Sequence, residues 1–345
     1  MEKYVETLVN EICSQIQKSK NYKIQTIYFG GGTPSLLPAQ LLEKIVQAIY
    51  KTFEVAQDVE CTIEGNPEQL TQEYLNELKQ LGFNRISIGI QSFNDKILHF
   101  LGRTHSAKDA FVAIDNVQKA GFDNISIDLI YGIYLRSIED WLYELQTVFQ
   151  RPVKHLSAYS LTVEENTLLY KKILEKKIVN TDEEQPLVEM QLLMDEAEKN
   201  GFEHYEVSNF AKNNYRSQHN SNYWNGTPYL GFGASAHSFT GTSRSWNISN
   251  VEKYCEAIAD NRPFFEAEQL TPENQYIEAF LLGLRTKEGI DLRHFETRFG
   301  ADKQNNLLQS LQKIDPQFYE IKSDFLIITK KGLVLLDYIT EKLIT

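Results

Sequence analysis

Ile24-Gln25-Thr26-Ile27-Tyr28-Phe29-Gly30-Gly31-Gly32-Thr33-Pro34-Ser35 decides how this chain is read. Its first half is β-branched and aromatic, the pattern of a buried strand. Three consecutive glycines then leave the backbone without Cβ cover, so a ligand can approach its N–H groups closely. A helical pattern begins near Pro38. Strand, bare turn and helix N-terminus form an arrangement suited to anionic or zwitterionic groups. A tight βα connection with no ligand would use the same residues. No Gly-Lys-Ser/Thr follows, so the turn is not a P-loop.

Outward from this turn the chain alternates. Before it, Val5, Leu8, Ile12 and Ile16 fall on one face of an opening amphipathic helix. After it come a helix from about Pro38 to Tyr50 and a short strand, Glu60–Glu64, running into Gly65-Asn66-Pro67. A helix over Gln72–Gln80 stops at Gly82, and the strand Arg85–Ile90 follows. Next are a helix over Ala107–Ala120, the strand Ile125–Ile130, a helix over Ile138–Phe149 and the strand His155–Leu161. Such alternation predicts a parallel sheet, open or closed into a barrel. Polar residues cluster at the strand ends: Gly30–Thr33, Glu64 and Asn66, Gln91 and Ser92, Asp128, Tyr159 and Ser160. That rim is where parallel α/β folds bind ligands.

Beyond Leu161 the rhythm changes. A helix over Glu184–Asn200 leads to the short segment Tyr205–Phe210 and a polar, aromatic loop, Ser217–Gly226. A second glycine-rich turn, Gly231–Ser238, follows. From about Leu270 the pattern is helical, with a β-hairpin wing at Tyr319–Thr329 and a last helix from Gly332. The tail reads as a small winged-helix-like domain, with the division placed at 1–240 and 241–345.

Composition narrows the function classes. A chain of 345 residues with 42% hydrophobic content can bury a substantial core. The net charge of −12 argues against a general nucleic-acid binder, which needs surplus Lys and Arg. No apolar run approaches the ~20 residues that span a bilayer. Three well-separated cysteines, Cys13, Cys61 and Cys255, point to a reducing cytoplasm.

Taken together, the ordered strings Gly30-Gly31-Gly32-Thr33-Pro34-Ser35, Glu64-Gly65-Asn66-Pro67, Ser87-Ile88-Gly89-Ile90-Gln91-Ser92-Phe93, Gly102-Arg103-Thr104-His105, Ile127-Asp128-Leu129-Ile130-Tyr131-Gly132, Tyr205-Glu206-Val207-Ser208-Asn209-Phe210 and Gly231-Phe232-Gly233-Ala234-Ser235-Ala236-His237-Ser238 resemble one group. It is the HemW and oxygen-independent coproporphyrinogen oxidase (HemN) family of radical S-adenosylmethionine (SAM) proteins. The resemblance implies an α/β fold, a partial (β/α) TIM-like barrel with a C-terminal helical, winged-helix-like domain. It implies that Gly31, Gly32 and Thr33 take the methionine amino group of SAM. Glu64, Gln91, Arg103 and Asp128 would hold the rest, with Tyr159 and Ser160 near the adenine. A zwitterion with a ribose needs backbone donors, carboxylate acceptors and a guanidinium. Singly, these residues have plainer uses: Arg103 as a surface charge, Asp128 or Glu64 as strand-end groups that cap a helix.

His219-Asn220-Ser221-Asn222-Tyr223-Trp224 fits the HNxxYW pattern of the HemW branch. The resemblance makes His219 a candidate haem-iron ligand, with Tyr223 and Trp224 as planar surface for the macrocycle. A hydrogen-bonded loop packing its aromatics on the barrel is the other use of these residues. The family also begins with a strand carrying Cys-xxx-Cys-xx-Cys, whose thiolates hold a [4Fe–4S] cluster. Cys13, Cys61 and Cys255 do not supply that set, since Fe–S clusters need clustered thiolates. SAM cleavage is therefore not expected of these residues alone. A shortened chain is the first expectation and a cluster-free binding relative the second.

The expected function is thus a HemW-like haem chaperone that binds SAM and haem and passes haem to accepting proteins. An oxygen-independent coproporphyrinogen III oxidase is the alternative. A nucleotide-binding α/β protein would explain the glycine turn but not the other strings.

Overall fold

The computed structural model describes residues 1–15, 22–165, 167–175 and 184–344, so the expected helical position Ile16 lies outside the described residues. In chain order the elements are α1 (Glu2–Ser14), β1 (Lys23–Phe29), α2 (Ala39–Thr52), β2 (Glu54–Gly65), α3 (Gln72–Gln80), β3 (Arg85–Gln91) and α4 (Asp95–Phe100). Then come α5 (Ala107–Lys119), β4 (Asn124–Tyr131), α6 (Ile138–Phe149), β5 (His155–Ser160), α7 (Leu168–Leu174), α8 (Glu184–Lys199), β6 (Glu203–Glu206) and β7 (Asn209–Ala211). The remainder holds α9 (Gln218–Trp224), β8 (His237–Phe239), β9 (Ser243–Asn247), α10 (Val251–Ala259), β10 (Phe265–Gln269) and α11 (Pro272–Gly283). The chain closes with β11 (Ile290–Asp291), α12 (Leu292–Phe299), α13 (Ala301–Leu311), β12 (Tyr319–Lys322), β13 (Phe325–Ile328), α14 (Lys330–Leu333) and α15 (Leu336–Ile344).

Two compact units emerge. One comprises the described residues of Met1–Tyr28, Leu36–Cys61 and Ser217–Thr345; the other those of Phe29–Ser35 and Thr62–Arg216. The main sheet has the order β1-β2-β3-β4-β5-β7-β6 and does not close, leaving β1 and β6 as its edge strands.

In the second unit, the end of β2 and then β3, β4 and β5 run parallel, and β7 and β6 continue antiparallel. Ile86, Ile88, Ile90, Ile125, Ile127 and Leu129 are buried, as expected of strands covered on both faces. The α5 helix turns Ala110, Ala113, Ile114 and Val117 inward at helical spacing, and a Ser106–Asp109 capping box fixes its start. The segment Tyr205–Phe210 resolves into a β6–β7 hairpin around Val207 and Ser208.

Several expectations need correction. β2 has 12 residues rather than the five of Glu60–Glu64, extending back to Glu54 through the buried Ala56 and Val59. β1 is not a buried strand: as an edge strand it buries only Ile27. A 3-10 turn at Pro34–Leu36 separates the glycines from α2, which begins at Ala39. The stretch Ser217–Gly226 is mainly helix α9, since Ser217 accepts a capping bond from the Asn220 N–H. The final helix is broken, α14 ending before α15 begins. β8, β9 and β10 form an antiparallel sheet that the sequence reading did not foresee.

The expected hairpin wing is present. β12 and β13 pair from Tyr319↔Ile328 to Lys322↔Phe325, and Ser323 and Asp324 both take positive φ at the tight turn. Nearby, Tyr276, Phe280, Phe295 and Phe299 interlock edge to face in the tail's core.

The first unit is stitched by one buried carboxylate. Glu11 of α1 accepts hydrogen bonds from the Gly233 N–H (2.8 Å), Asn247 Nδ2 (2.7 Å) and the Tyr254 hydroxyl (2.5 Å). Burial pushes its pKa up, and the three donors partly offset that. Gly233 has φ +101, and a Cβ there would meet the Tyr4 hydroxyl at 2.5 Å, so the turn requires glycine. Replacing Glu11 by Ala strands three buried donors and should cost about 2–4 kcal/mol. Glu11→Gln, which keeps an acceptor, should cost less. Urea midpoints of the two variants check this ordering.

Candidate functional site

The glycine turn follows the end of β1. Gly31 has φ +96, which glycine alone adopts without strain. Gly32 is different: its φ is ordinary, and a Cβ on it would meet no atom of the chain. Nothing in the protein itself demands glycine at 32, so its bare backbone fits close approach by a bound group. Thr33 is half-buried beside it.

Strand register places the carboxylates. Glu64 lies opposite Ser87, Ser87 opposite Ser126, and Asp128 opposite Ser157. The Ser87 hydroxyl donates toward both Asp128 oxygens, at 3.0 and 3.2 Å. The pKa of Asp128 is raised from 3.8 to about 6, first by burial and then by the charge of Glu64, against the hydrogen bonds of Ser157 and Ser87 and the charge of Arg85. A carboxylate destabilised by burial and by a neighbouring Glu64 is poised for a cation. Neither Glu64 nor Asp128 caps a helix: Asp128 lies within β4, while Thr71 and Ser137 cap α3 and α6.

Gln91 and Arg103 meet around Gly89. Arg103 Nη2 donates to Asn66 Oδ1 and to the Gly89 carbonyl oxygen (3.2 Å), so it is a tethered group rather than a loose surface charge. A Cβ on Gly89 would sit 3.1 Å from Gln91 Nε2, 3.5 Å from Asn66 Oδ1 and 3.6 Å from Arg103 Nη2. Ser160 is exposed at the end of β5, with its hydroxyl beside Gly132. Successive strands therefore carry Glu64, Gln91, Asp128 and Ser160 at or near their ends, and the Arg103 guanidinium reaches Gly89 from the loop after α4. Sequence reasoning missed the supporting Ser87 and Ser157. Their signal was a serine on a strand otherwise buried and apolar.

The first unit carries the other candidate group. Glu60, buried in β2, accepts from the backbone N–H groups of Gln218 (3.1 Å) and His219 (3.0 Å), fixing the start of α9. The His219 ring stacks on Tyr28, with centroids 4.7 Å apart and an 18° interplanar angle. Its Nδ1 lies 2.9 Å from the Thr26 hydroxyl and its Nε2 2.9 Å from the Tyr223 hydroxyl. Either hydroxyl can donate or accept, so the tautomer follows from how the two are oriented. Tyr223 is exposed and meets Tyr229 edge-on, and Trp224 is half-buried. Thr26, Tyr28 and Glu60 were not singled out from sequence, because their link to His219 spans more than 150 residues.

The cysteines do not form a metal site. Cys61 is buried in β2, where loss of hydration pushes its thiol up to about 12, and Cys255 is buried in α10. Cys13 stands half-buried in α1. Among the described residues, no three His, Cys, Asp or Glu side chains are grouped to hold a metal ion. This donor set does not fit an iron–sulfur cluster.

Comparison with known proteins gives consistent matches. The model of the radical SAM superfamily matches residues 1–147, and that of the HemN C-terminal domain residues 270–335. "Heme chaperone HemW" of Bacillus subtilis (strain 168) is 34% identical over 302 residues, covering 87% of this chain and 80% of that protein. "Heme chaperone HemW" of Lactococcus lactis subsp. lactis (strain IL1403) is 35% identical over 296 residues, covering 86% and 77%. Among solved structures, coproporphyrinogen III oxidase (HemN) from Escherichia coli superposes with a TM-score of 0.83 at 21% identity, covering 99% of this chain and 82% of that one. That likeness shows the fold, a partial barrel of the radical SAM type.

The raised Asp128 predicts a pH-dependent stability effect. Above pH 6 the folded chain holds a carboxylate in an unfavourable place, and Asp128→Asn relieves it by about 1–2 kcal/mol after allowance for solvent screening. As pH falls through about 6 the folded wild type takes up the proton, and the advantage should vanish near pH 4. Thermal melts of both proteins at pH 8 and pH 4.5 test this.

Proposed function

The chain belongs to the HemW/HemN family of radical SAM proteins, and from that we propose that it is a haem chaperone that binds SAM and haem. The observation that carries the reading is the 31–35% identity to seven proteins named "Heme chaperone HemW", over 83–98% of this chain. The likeness to coproporphyrinogen III oxidase supports the shared fold alone, so the oxidase reading gains nothing separate from it.

In this reading the strand ends of the second unit hold SAM. Gly31, Gly32 and Thr33 receive the methionine amino group, and Glu64 and Asp128 accept from amine and hydroxyl groups. Arg103 meets the carboxylate, Gln91 lies alongside, and Ser160 stands near the adenine. The open face of Gly32 and the paired charges of Glu64 and Asp128 support this assignment. A bound [4Fe–4S] cluster supplies the electron that cleaves SAM in this superfamily. Cys13, Cys61 and Cys255 do not fit as its ligands.

Haem is assigned to His219, with Tyr223 and Trp224 beside it. Thr26 at Nδ1 is the kind of partner that orients a ligating imidazole. Nε2 becomes available to iron once it gives up the Tyr223 hydroxyl. Haem-accepting proteins are the partners. The three separated free cysteines favour the cytoplasm as its compartment.

Titrating haem into the protein should give a Soret band that His219→Ala loses. Unchanged spectra in that variant would refute the ligand assignment. Tyr223→Phe removes the competing hydroxyl and should bind haem at least as tightly as wild type, whereas Thr26→Val should bind it more weakly. For the other ligand, SAM affinity by calorimetry should fall about tenfold or more in Asp128→Asn, roughly the worth of a charged hydrogen bond. In the wild type it should decline as pH drops below 6, where Asp128 loses its charge.

A further inference from the structure

The end of β3 contains a strained turn. Gln91 has φ +69, a region that a non-glycine side chain enters only at an energetic penalty. The Ser92 N–H donates back to the Ile90 carbonyl oxygen across it at 2.9 Å. A three-residue turn with positive φ at its centre is the rare, strained form. Such a turn persists only where its surroundings over-determine it.

Two buried side chains do so here. On the far side of Gln91, Glu144 of α6 accepts from the Ser92 hydroxyl and from the Phe93 N–H (3.3 Å) through Oε1. The Ser92 hydroxyl also accepts from the Asn94 N–H (3.1 Å). On the near side, Nε2 of buried His105 lies 3.0 Å from the Ile90 carbonyl oxygen. Glu144 is itself held by Arg136, whose Nη1 donates to Glu144 Oε2 (3.2 Å) and whose Nη2 donates to Glu189 Oε2 (2.7 Å). The guanidinium lies over the Trp141 ring at 4.2 Å. Arg136, Glu144 and Glu189 are all buried. Replacing this network by apolar packing would serve stability as well or better, so its retention asks for another reason.

We propose that Glu144, braced by Arg136, is a positioning residue that clamps Ser92 and Phe93 so that Gln91 is held in its strained turn with its carboxamide over Gly89, next to Arg103. Glu144 touches no ligand; it acts through Gln91. The proposal rests on the reading of this rim as the SAM site for its functional half. Its conformational half stands on the chain alone.

The test reads both halves. Glu144→Ala is too disruptive, since it removes one of the two buried carboxylates that face Arg136, so Ser92→Ala is used to cut the clamp. At a position with positive φ, glycine is preferred over alanine, the reverse of an ordinary strand position. Gln91→Gly should therefore melt about 2–4 °C above Gln91→Ala in the otherwise native chain. With Ser92→Ala added, residue 91 can relax, and the gap should close or reverse. A gap that is absent at the start, or that survives Ser92→Ala, overturns the clamp.

For SAM affinity, Ser92→Ala should cost about tenfold when Gln91 is present and little in the Gln91→Ala background. Equal losses in both backgrounds would mean that Ser92 and Glu144 do not act through Gln91, which overturns the positioning role. Glu144→Gln keeps an acceptor oxygen for both donors and should keep the melting gap. Failure of every chain, wild type included, to bind SAM would refute the reading of the rim, and the melting gap would still decide the clamp.

Discussion

Parallel strands fix the height of every side chain they carry. In the second unit the ladder pairs Ile63 with Ile86, Ile88 with Ile127 and Ile127 with Leu156, rows buried between layers. Holding these rows sets the polar ones: Glu64 beside Ser87, and Asp128 beside Ser157. A slip of one residue would turn Asp128 to the opposite face of the sheet. The apolar register is thus what makes a shared polar rim possible, and the helices serve to hold it.

That rim is built against stability. Asp128 is pushed toward neutrality by burial and by Glu64, and Gln91 sits in a conformation that its side chain disfavours. Both features raise the free energy of the folded chain. Groups of this kind persist where a bound partner recovers the deficit, and they gather where a protein works. The surrounding core supplies the surplus: the inward face of α5 and Ile86, Ile88, Ile90, Ile125 and Ile127 of β3 and β4 are buried.

Much of this was legible in the sequence. Strand and helix alternation placed α3, α5, α6 and α8 closely, because signals such as the Thr71, Ser106 and Ser137 caps and the stops at Gly82, Gly121 and Gly201 are local. The rim residues were legible as polar strand ends. Where reading failed, the cause was non-local. β1 reads as a buried strand from its residues, but its place at the sheet edge is set by topology. α9 is short and polar and reads as loop; its start is held by Ser217 and by Glu60, more than 150 residues away in sequence. The β8–β9–β10 sheet rests on strands of three to five residues, too short for periodicity to reveal.

The two hydroxyls that grip the His219 ring have a further consequence. For any cargo that binds through Nε2, the Tyr223 hydroxyl is a tethered competitor, present at the high effective concentration of a group on the same helix turn. Such a competitor lowers apparent affinity by a constant factor, whatever the cargo concentration. It also recaptures the imidazole as soon as the cargo lets go, which disfavours rebinding. For any group held through Nε2, the resting hydrogen bond thus already contains the means of its release.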